Sequence, residues 1–106
     1  MDMYAQFSKW LGLTSQQAII VSIIHKLQLQ EARTTPIAIE KEYLKDTNAF
    51  IQKSNLFTQL KILQEKNIII KSPHSTYSLD PQGIQEIISK RKNELSKELK
   101  EIHDFN

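Results

Sequence analysis

Leu63-Gln64-Glu65-Lys66-Asn67-Ile68-Ile69-Ile70-Lys71-Ser72-Pro73-His74-Ser75-Thr76-Tyr77-Ser78-Leu79-Asp80-Pro81-Gln82-Gly83 is the stretch whose pattern decides the fold. Its apolar spacing changes character twice. Leu63 ends a helix that also covers Leu56, Phe57 and Leu60, with Leu56, Leu60 and Leu63 at the spacing of one helical face. Asn67 stands where that helix should end, and asparagine tolerates the left-handed cap conformation almost as glycine does. The β-branched run Ile68-Ile69-Ile70-Lys71 follows, then the turn cluster Ser72-Pro73-His74-Ser75, then the strand-like Thr76-Tyr77-Ser78-Leu79. Two short runs around such a cluster read as a hairpin. Asp80-Pro81 then opens a last helix, with Asp80 as cap and proline at the first helical position.

Upstream, the same capping logic marks three more helices. Met3, Phe7, Trp10 and Leu11 have helical spacing before Gly12, which reads as a short lead-in helix over residues 1–13. Thr14 and Gln17 form a capping-box pair for a helix through about Gln30, whose buried stripe is Ile20, Ile23, Ile24 and Leu27, with Ile19 beside it. Thr35-Pro36 starts a helix to about Lys45 that buries Ile39, Tyr43 and Leu44, and Asp46-Thr47-Asn48 reads as a turn. For the helix through Leu56 and Leu60, Ser54 is the preferred cap, with a start at Asn48 as the alternative. Downstream, the last helix is expected to reach about His103 with Ile84, Ile88, Leu95, Leu99 and Ile102 as its apolar line.

Three helices, a hairpin and a closing helix make a mainly α chain with a small β-hairpin (α+β), the order of a winged helix-turn-helix. The expected layout is one domain, with a lead-in helix over residues 1–13, a core over 14–80 and a C-terminal dimerisation helix over 81–103. In that arrangement the third core helix can enter the major groove of DNA while the hairpin reaches the neighbouring backbone.

Residues 13–88 resemble the winged-helix core of MarR-like and PadR-like regulators. Four stretches carry the resemblance: Leu13-Thr14, the spacing of Leu56, Leu60 and Leu63, Leu63-Gln64-Glu65-Lys66-Asn67-Ile68, and Tyr77-Ser78-Leu79-Asp80-Pro81-Gln82-Gly83. The last two are similar to the family's junction into the wing and its Tyr-x-Leu-Thr-x-x-Gly entry to the final helix. Here Asn67 replaces the usual glycine and Asp80 the usual threonine. The wing is short and lacks an arginine at its tip, and 46–53 is longer than a tight helix-turn-helix turn. The resemblance extends to archaeal chromosomal, viral and plasmid proteins, and it implies a homodimeric regulator of transcription.

The charge distribution agrees with a polyanion partner. The net charge is only +2, yet residues 1–50 carry five basic and five acidic side chains, and residues 81–106 carry five of each. Residues 51–76 carry four lysines (Lys53, Lys61, Lys66, Lys71) against Glu65 alone. With Leu56, Leu60 and Leu63 inside, the outward positions of the third helix are Ser54, Asn55, Thr58, Gln59 and Lys61. Asn and Gln can bond adenine bidentately, and Ser, Thr and Lys reach bases or phosphates. Lys53, Lys61 and Lys71 are phosphate-contact candidates, with His74 and Ser75 at the wing tip. Thr35, at a helix N-terminus, and Arg33 nearby are backbone anchors.

Ile88, Leu95, Leu99 and Ile102 form a coiled-coil-like seam broken by Lys92, read as a homodimer interface completed by Phe7 and Trp10. The partners expected are therefore double-stranded DNA and a second copy of the chain. Two other readings remain open: a plasmid-partition (centromere-binding) or architectural protein that spreads on DNA, and a winged helix used for protein contacts.

Other classes are disfavoured. The 106 residues are 40% apolar, enough for one modest core, and cysteine is absent. No apolar run approaches the roughly 18 residues of a membrane span. Met1-Asp2-Met3-Tyr4 lacks the basic start and apolar stretch of a signal peptide, so a cytoplasmic, nucleoid-associated protein is expected. His25, His74 and His103 have no metal-ligand spacing, and Glu40 and Glu42 face different directions on a helix. The two glycines, Gly12 and Gly83, build no phosphate loop, and no nucleophile motif occurs. The chain is read as a non-enzyme without cofactor or metal, and no residue pattern assigns a small-molecule effector.

Overall fold

The computed structural model describes residues 11–105, with side chains from 11 to 100. Met3, Phe7 and Trp10 of the expected lead-in helix, and the side chain of Ile102, lie outside the described residues. The first described helix, α1 (Ser15–Leu29), begins with a complete capping box. The Gln17 N–H donates to Thr14 Oγ1 at 3.2 Å, and the Thr14 N–H donates to Gln17 Oε1 at 3.1 Å. The helix is closed at Glu31, which takes φ 54° while the Ala32 N–H returns to the Leu27 carbonyl at 2.9 Å. Ile20, Val21, Ile23, Ile24 and Leu27 are its buried side chains.

Helix α2 (Pro36–Thr47) is capped by Thr35, whose Oγ1 accepts from the Ala38 N–H at 3.2 Å. It runs two residues beyond the expected Lys45, to the left-handed Asn48 at φ 58°. Ile39 and Tyr43 are buried as expected, but Leu44 is only half-buried. Lys26 of α1 clamps α2, with Nζ 2.8 Å from Glu42 Oε2 and 2.9 Å from Asp46 Oδ1. These hydrogen bonds, Glu42 first, hold the ammonium above its ordinary pKa.

The connection from 48 to 52 drops Ile51 into the core and leaves Phe50 outside. Helix α3 (Lys53–Glu65) then starts from Gln52 with no side-chain cap, so neither Ser54 nor Asn48 performs that role. Ser54 already lies inside the first turn, where its carbonyl accepts the Thr58 hydroxyl at 2.9 Å. Leu56, Leu60 and Leu63 are fully buried, whereas Phe57 is not. Asn67 takes the left-handed conformation at φ 61°, and the Ile68 N–H returns to the Leu63 carbonyl at 3.0 Å.

Strands β1 (Ile69–Lys71) and β2 (Tyr77–Leu79) form an antiparallel hairpin, with Ile69, Ile70 and Lys71 opposite Leu79, Ser78 and Tyr77. The outer edge of β2 is not left bare. Its Tyr77 N–H donates to the carbonyl of Thr34, in the α1–α2 connection, at 2.9 Å. Its Leu79 N–H donates to Gln28 Oε1 of α1 at 3.0 Å. Both exposed-edge donors are thereby satisfied within the chain, which discourages strand addition there. Tyr77 is buried, and desolvation raises its phenol pKa.

Helix α4 (Pro81–Phe105) opens at Asp80, whose Oδ1 accepts the Gly83 N–H at 3.0 Å. The Asp80 N–H donates to the Ile68 carbonyl at 2.8 Å, stitching the start of α4 to the end of α3. Ile84, Ile87 and Ile88 pack on the core, and every residue from 89 to 100 is exposed. The helix adds its length to one axis of a molecule measuring 54 × 30 × 25 Å. No helix among the described residues is long and apolar enough to cross a membrane.

Gly83 owes its place to contact, since a Cβ there would collide with the Asn67 carbonyl oxygen and stand 2.9 Å from Asp80 Oδ2. Gly12 is different: it has φ 67° and open space, with Lys66 Nζ 3.9 Å from its would-be Cβ. Gly83→Ala is therefore expected to destabilise the fold by about 2–3 kcal/mol through overpacking against backbone. Gly12→Ala should cost only the left-handed strain of about 1 kcal/mol. Urea unfolding of both variants checks the ranking, and an equal or reversed order would refute the steric role of residue 83.

Candidate nucleic-acid interface

Helix α3 has three faces. At about 100° per residue, Leu56, Leu60 and Leu63 form one line, and Ser54, Thr58, Lys61 and Glu65 lie opposite it. Those four are exposed, as is Lys53 at the start of the helix. Asn55 and Gln59 occupy a flank, half-buried and turned toward α1.

That flank is consumed by an amide chain running between helices. The Gln17 Nε2 donates to Gln59 Oε1 at 2.9 Å, and Gln59 Nε2 donates to Asn55 Oδ1 at 3.1 Å. Asn55 Nδ2 donates to Gln16 Oε1 at 3.1 Å, and Gln16 Nε2 reaches the Tyr43 hydroxyl at 3.4 Å. Gln17 Oε1 is the same atom that accepts the Thr14 N–H. The cap of α1 is thus continuous, through five side chains, with α3 and α2. Gln17 is only 5% exposed, so its amide depends on Gln59 for a partner.

This geometry corrects the expectation that Asn55 and Gln59 point outward beside Ser54, Thr58 and Lys61. Their amides tie α3 to α1. Local spacing carries no sign of it, because the partners Gln16 and Gln17 are remote in the chain and Gln17 already serves the cap of α1. Leu56, Leu60 and Leu63 are inside as expected, and Phe57, expected only to lie on this helix, is 45% exposed. Helical geometry carries the signal: Phe57 is about 100° from Leu56 and only about 40° from Lys61.

The basic residues divide in a similar way. Lys66 Nζ donates to the Gly12 carbonyl at 2.9 Å and acts as a structural tie. Lys53, Lys61 and Lys71 are exposed and make no ion pair among the described residues. Lys71 ends β1 opposite Tyr77, whose N–H holds the 33–35 segment, so Arg33 and Thr35 lie one strand beyond Lys71. Arg33 is exposed there, while the Thr35 hydroxyl is engaged in capping α2. His74 and Ser75 form the exposed hairpin turn, Ser75 at φ 59°. That turn is fastened internally: the His74 N–H donates to Ser72 Oγ at 3.2 Å, and Ser72 Oγ lies 2.6 Å from Thr76 Oγ1.

The structure therefore brings together two groups. One is the exposed α3 face of Lys53, Ser54, Phe57, Thr58 and Lys61, and the other is the edge formed by Arg33, Thr35 and Lys71. Among the described residues, no cluster of three or more His, Asp or Glu side chains is arranged to hold a metal ion. No protein-family model, curated protein or solved structure matches the chain.

Removing one link of the amide chain should be felt as lost stability. Gln59→Ala leaves the buried Gln17 Nε2 unpaired and is expected to cost about 1–3 kcal/mol. Thr58→Ala, one residue away on the exposed face, should change stability by less than about 0.5 kcal/mol. Denaturant titration of the two variants tests whether α3 is anchored as described.

Proposed function

We propose that this chain is a winged-helix protein that binds double-stranded DNA as a homodimer and regulates transcription. The observation that carries the reading is the outer face of α3. It holds Lys53 and Lys61, which make no ion pair among the described residues, with Ser54 and Thr58, on a helix followed directly by an antiparallel hairpin bearing the likewise unpaired Lys71. All three cations lie in the one segment of the sequence with excess positive charge. In this reading α3 enters the major groove, β1 and β2 are the wing, and lysines on both elements neutralise phosphates. Arg33, with the 33–35 segment held against β2, extends the phosphate contact beyond the wing. The hydrogen-bonded turn at Ser72–Thr76 presents His74 and Ser75 to the backbone.

The resemblance to MarR-like and PadR-like regulators supports the same reading, and so does the shape of α4. Leu95 and Leu99 continue the apolar line of Ile84 and Ile88 past the end of the core and are 45% and 59% exposed. Leaving such side chains in water forgoes about 1.5–3 kcal/mol each. A second copy packed along α4 would recover that free energy and place two recognition helices roughly 34 Å apart, one turn of DNA.

Two predictions test the parts separately. Duplex binding should weaken steeply with salt, because lysine contacts release counterions. Each of Lys53→Ala, Lys61→Ala and Lys71→Ala should weaken all duplex sequences alike and flatten the salt slope by about one unit or less. Anisotropy titrations at several salt concentrations measure this, and absence of duplex binding at low salt overturns the DNA reading. For assembly, Leu95→Glu combined with Leu99→Glu should give folded monomers that have lost tight site binding. Sedimentation at micromolar concentration decides it, since a monomeric wild type removes the dimer.

A further inference from the structure

Phe57 lies off the buried line of α3. The core side of α3 is filled by Leu56, Leu60 and Leu63, and Phe57 stands at the shoulder of the opposite face, 45% exposed. Its neighbours there are Ser54 one turn before, Lys61 one turn after, and Thr58 beside it. The Thr58 hydroxyl is turned back to the Ser54 carbonyl at 2.9 Å, so the group with no hydrogen-bonding duty on that side chain is its methyl. The two amides best suited to read adenine, Asn55 and Gln59, are held in the chain to α1. What α3 offers outward is thus an aromatic ring and a methyl group between two cations, Lys53 and Lys61, that make no ion pair among the described residues.

In the major groove, hydrogen-bonding groups line every base edge, and the one apolar group is the C5-methyl of thymine. We infer that Phe57, with the Thr58 methyl, contacts thymine C5-methyl groups, making the protein selective for thymine-bearing major grooves by apolar contact. The flanking lysines favour DNA over a protein partner for this patch, because they match phosphates on either side of the groove and have no acidic partner among the described residues. The inference rests on the proposed DNA binding and names which base feature α3 reads.

The test compares two duplexes with identical hydrogen-bonding edges, alternating poly(dA-dT) and alternating poly(dA-dU), which lacks only the methyl. At low salt the wild-type protein should bind the thymine duplex more tightly by about four-fold for each methyl it covers. Phe57→Ala should bind both duplexes at nearly the uracil level, and Phe57→Leu should keep part of the preference. Salt-sensitive binding of the wild type to both duplexes with equal affinity overturns the thymine inference and leaves DNA binding standing. A thymine preference that survives in folded Phe57→Ala also overturns it, since the preference would then come from DNA shape. Failure to bind either duplex overturns the DNA reading beneath it. If Phe57→Ala does not fold, the wild-type comparison and Phe57→Leu still decide the matter.

Discussion

Where the carbonyl of Asn67 meets residue 83, the end of α3, the start of β1 and the first turn of α4 occupy one point in space. A side chain at residue 83 would collide with that backbone oxygen, so the approach requires glycine. The Asp80 N–H bonded to the Ile68 carbonyl and the Asp80 carboxylate bonded to the Gly83 N–H hold the same junction from the other side. Because Asn67 turns left-handed here, α3 stops and Ile68 enters the core instead of continuing the helix. The hairpin leaves in one direction and α4 in another.

The hairpin has only three residues in each strand, too few to stand alone in water. Its stability comes from its surroundings: Ile69 and Tyr77 enter the core, and Thr34 and Gln28 accept the outward N–H groups of β2. The consequence is that the 33–35 segment, the hairpin and α1 form one rigid edge. The lysine at the end of β1 therefore has a fixed relation to the α1–α2 connection.

Helix α3 shows how packing reallocates polar side chains. A surface amide on a helix is free to hydrogen-bond a ligand. The amides of Asn55 and Gln59 are instead spent on Gln16 and Gln17, because a nearly buried Gln17 left without them would keep an unsatisfied polar group. That network ties one flank of α3 to α1, and Phe57 lies on the other flank. One polar chain thus takes two amides of α3 out of reach of a partner.

Much of the fold was legible in the chain because its signals are local. Thr14 with Gln17, Thr35 with Pro36 and Asp80 with Pro81 each write a helix start within a few residues. Asn67 marks a left-handed stop, and the change from helical to β-branched spacing after it announces the hairpin. The exposed lysines at 53, 61 and 71 were legible as well, since charge needs no partner to remain at the surface. What local spacing could not decide were the relations between distant residues. Gln16 and Gln17 are about 40 positions from Asn55 and Gln59, and Lys66 is 54 from Gly12. Thr34 likewise meets Tyr77 only once α1 and β2 have packed. Those contacts, formed by burial and not by sequence proximity, determined that two amides became internal ties and that one lysine became a brace.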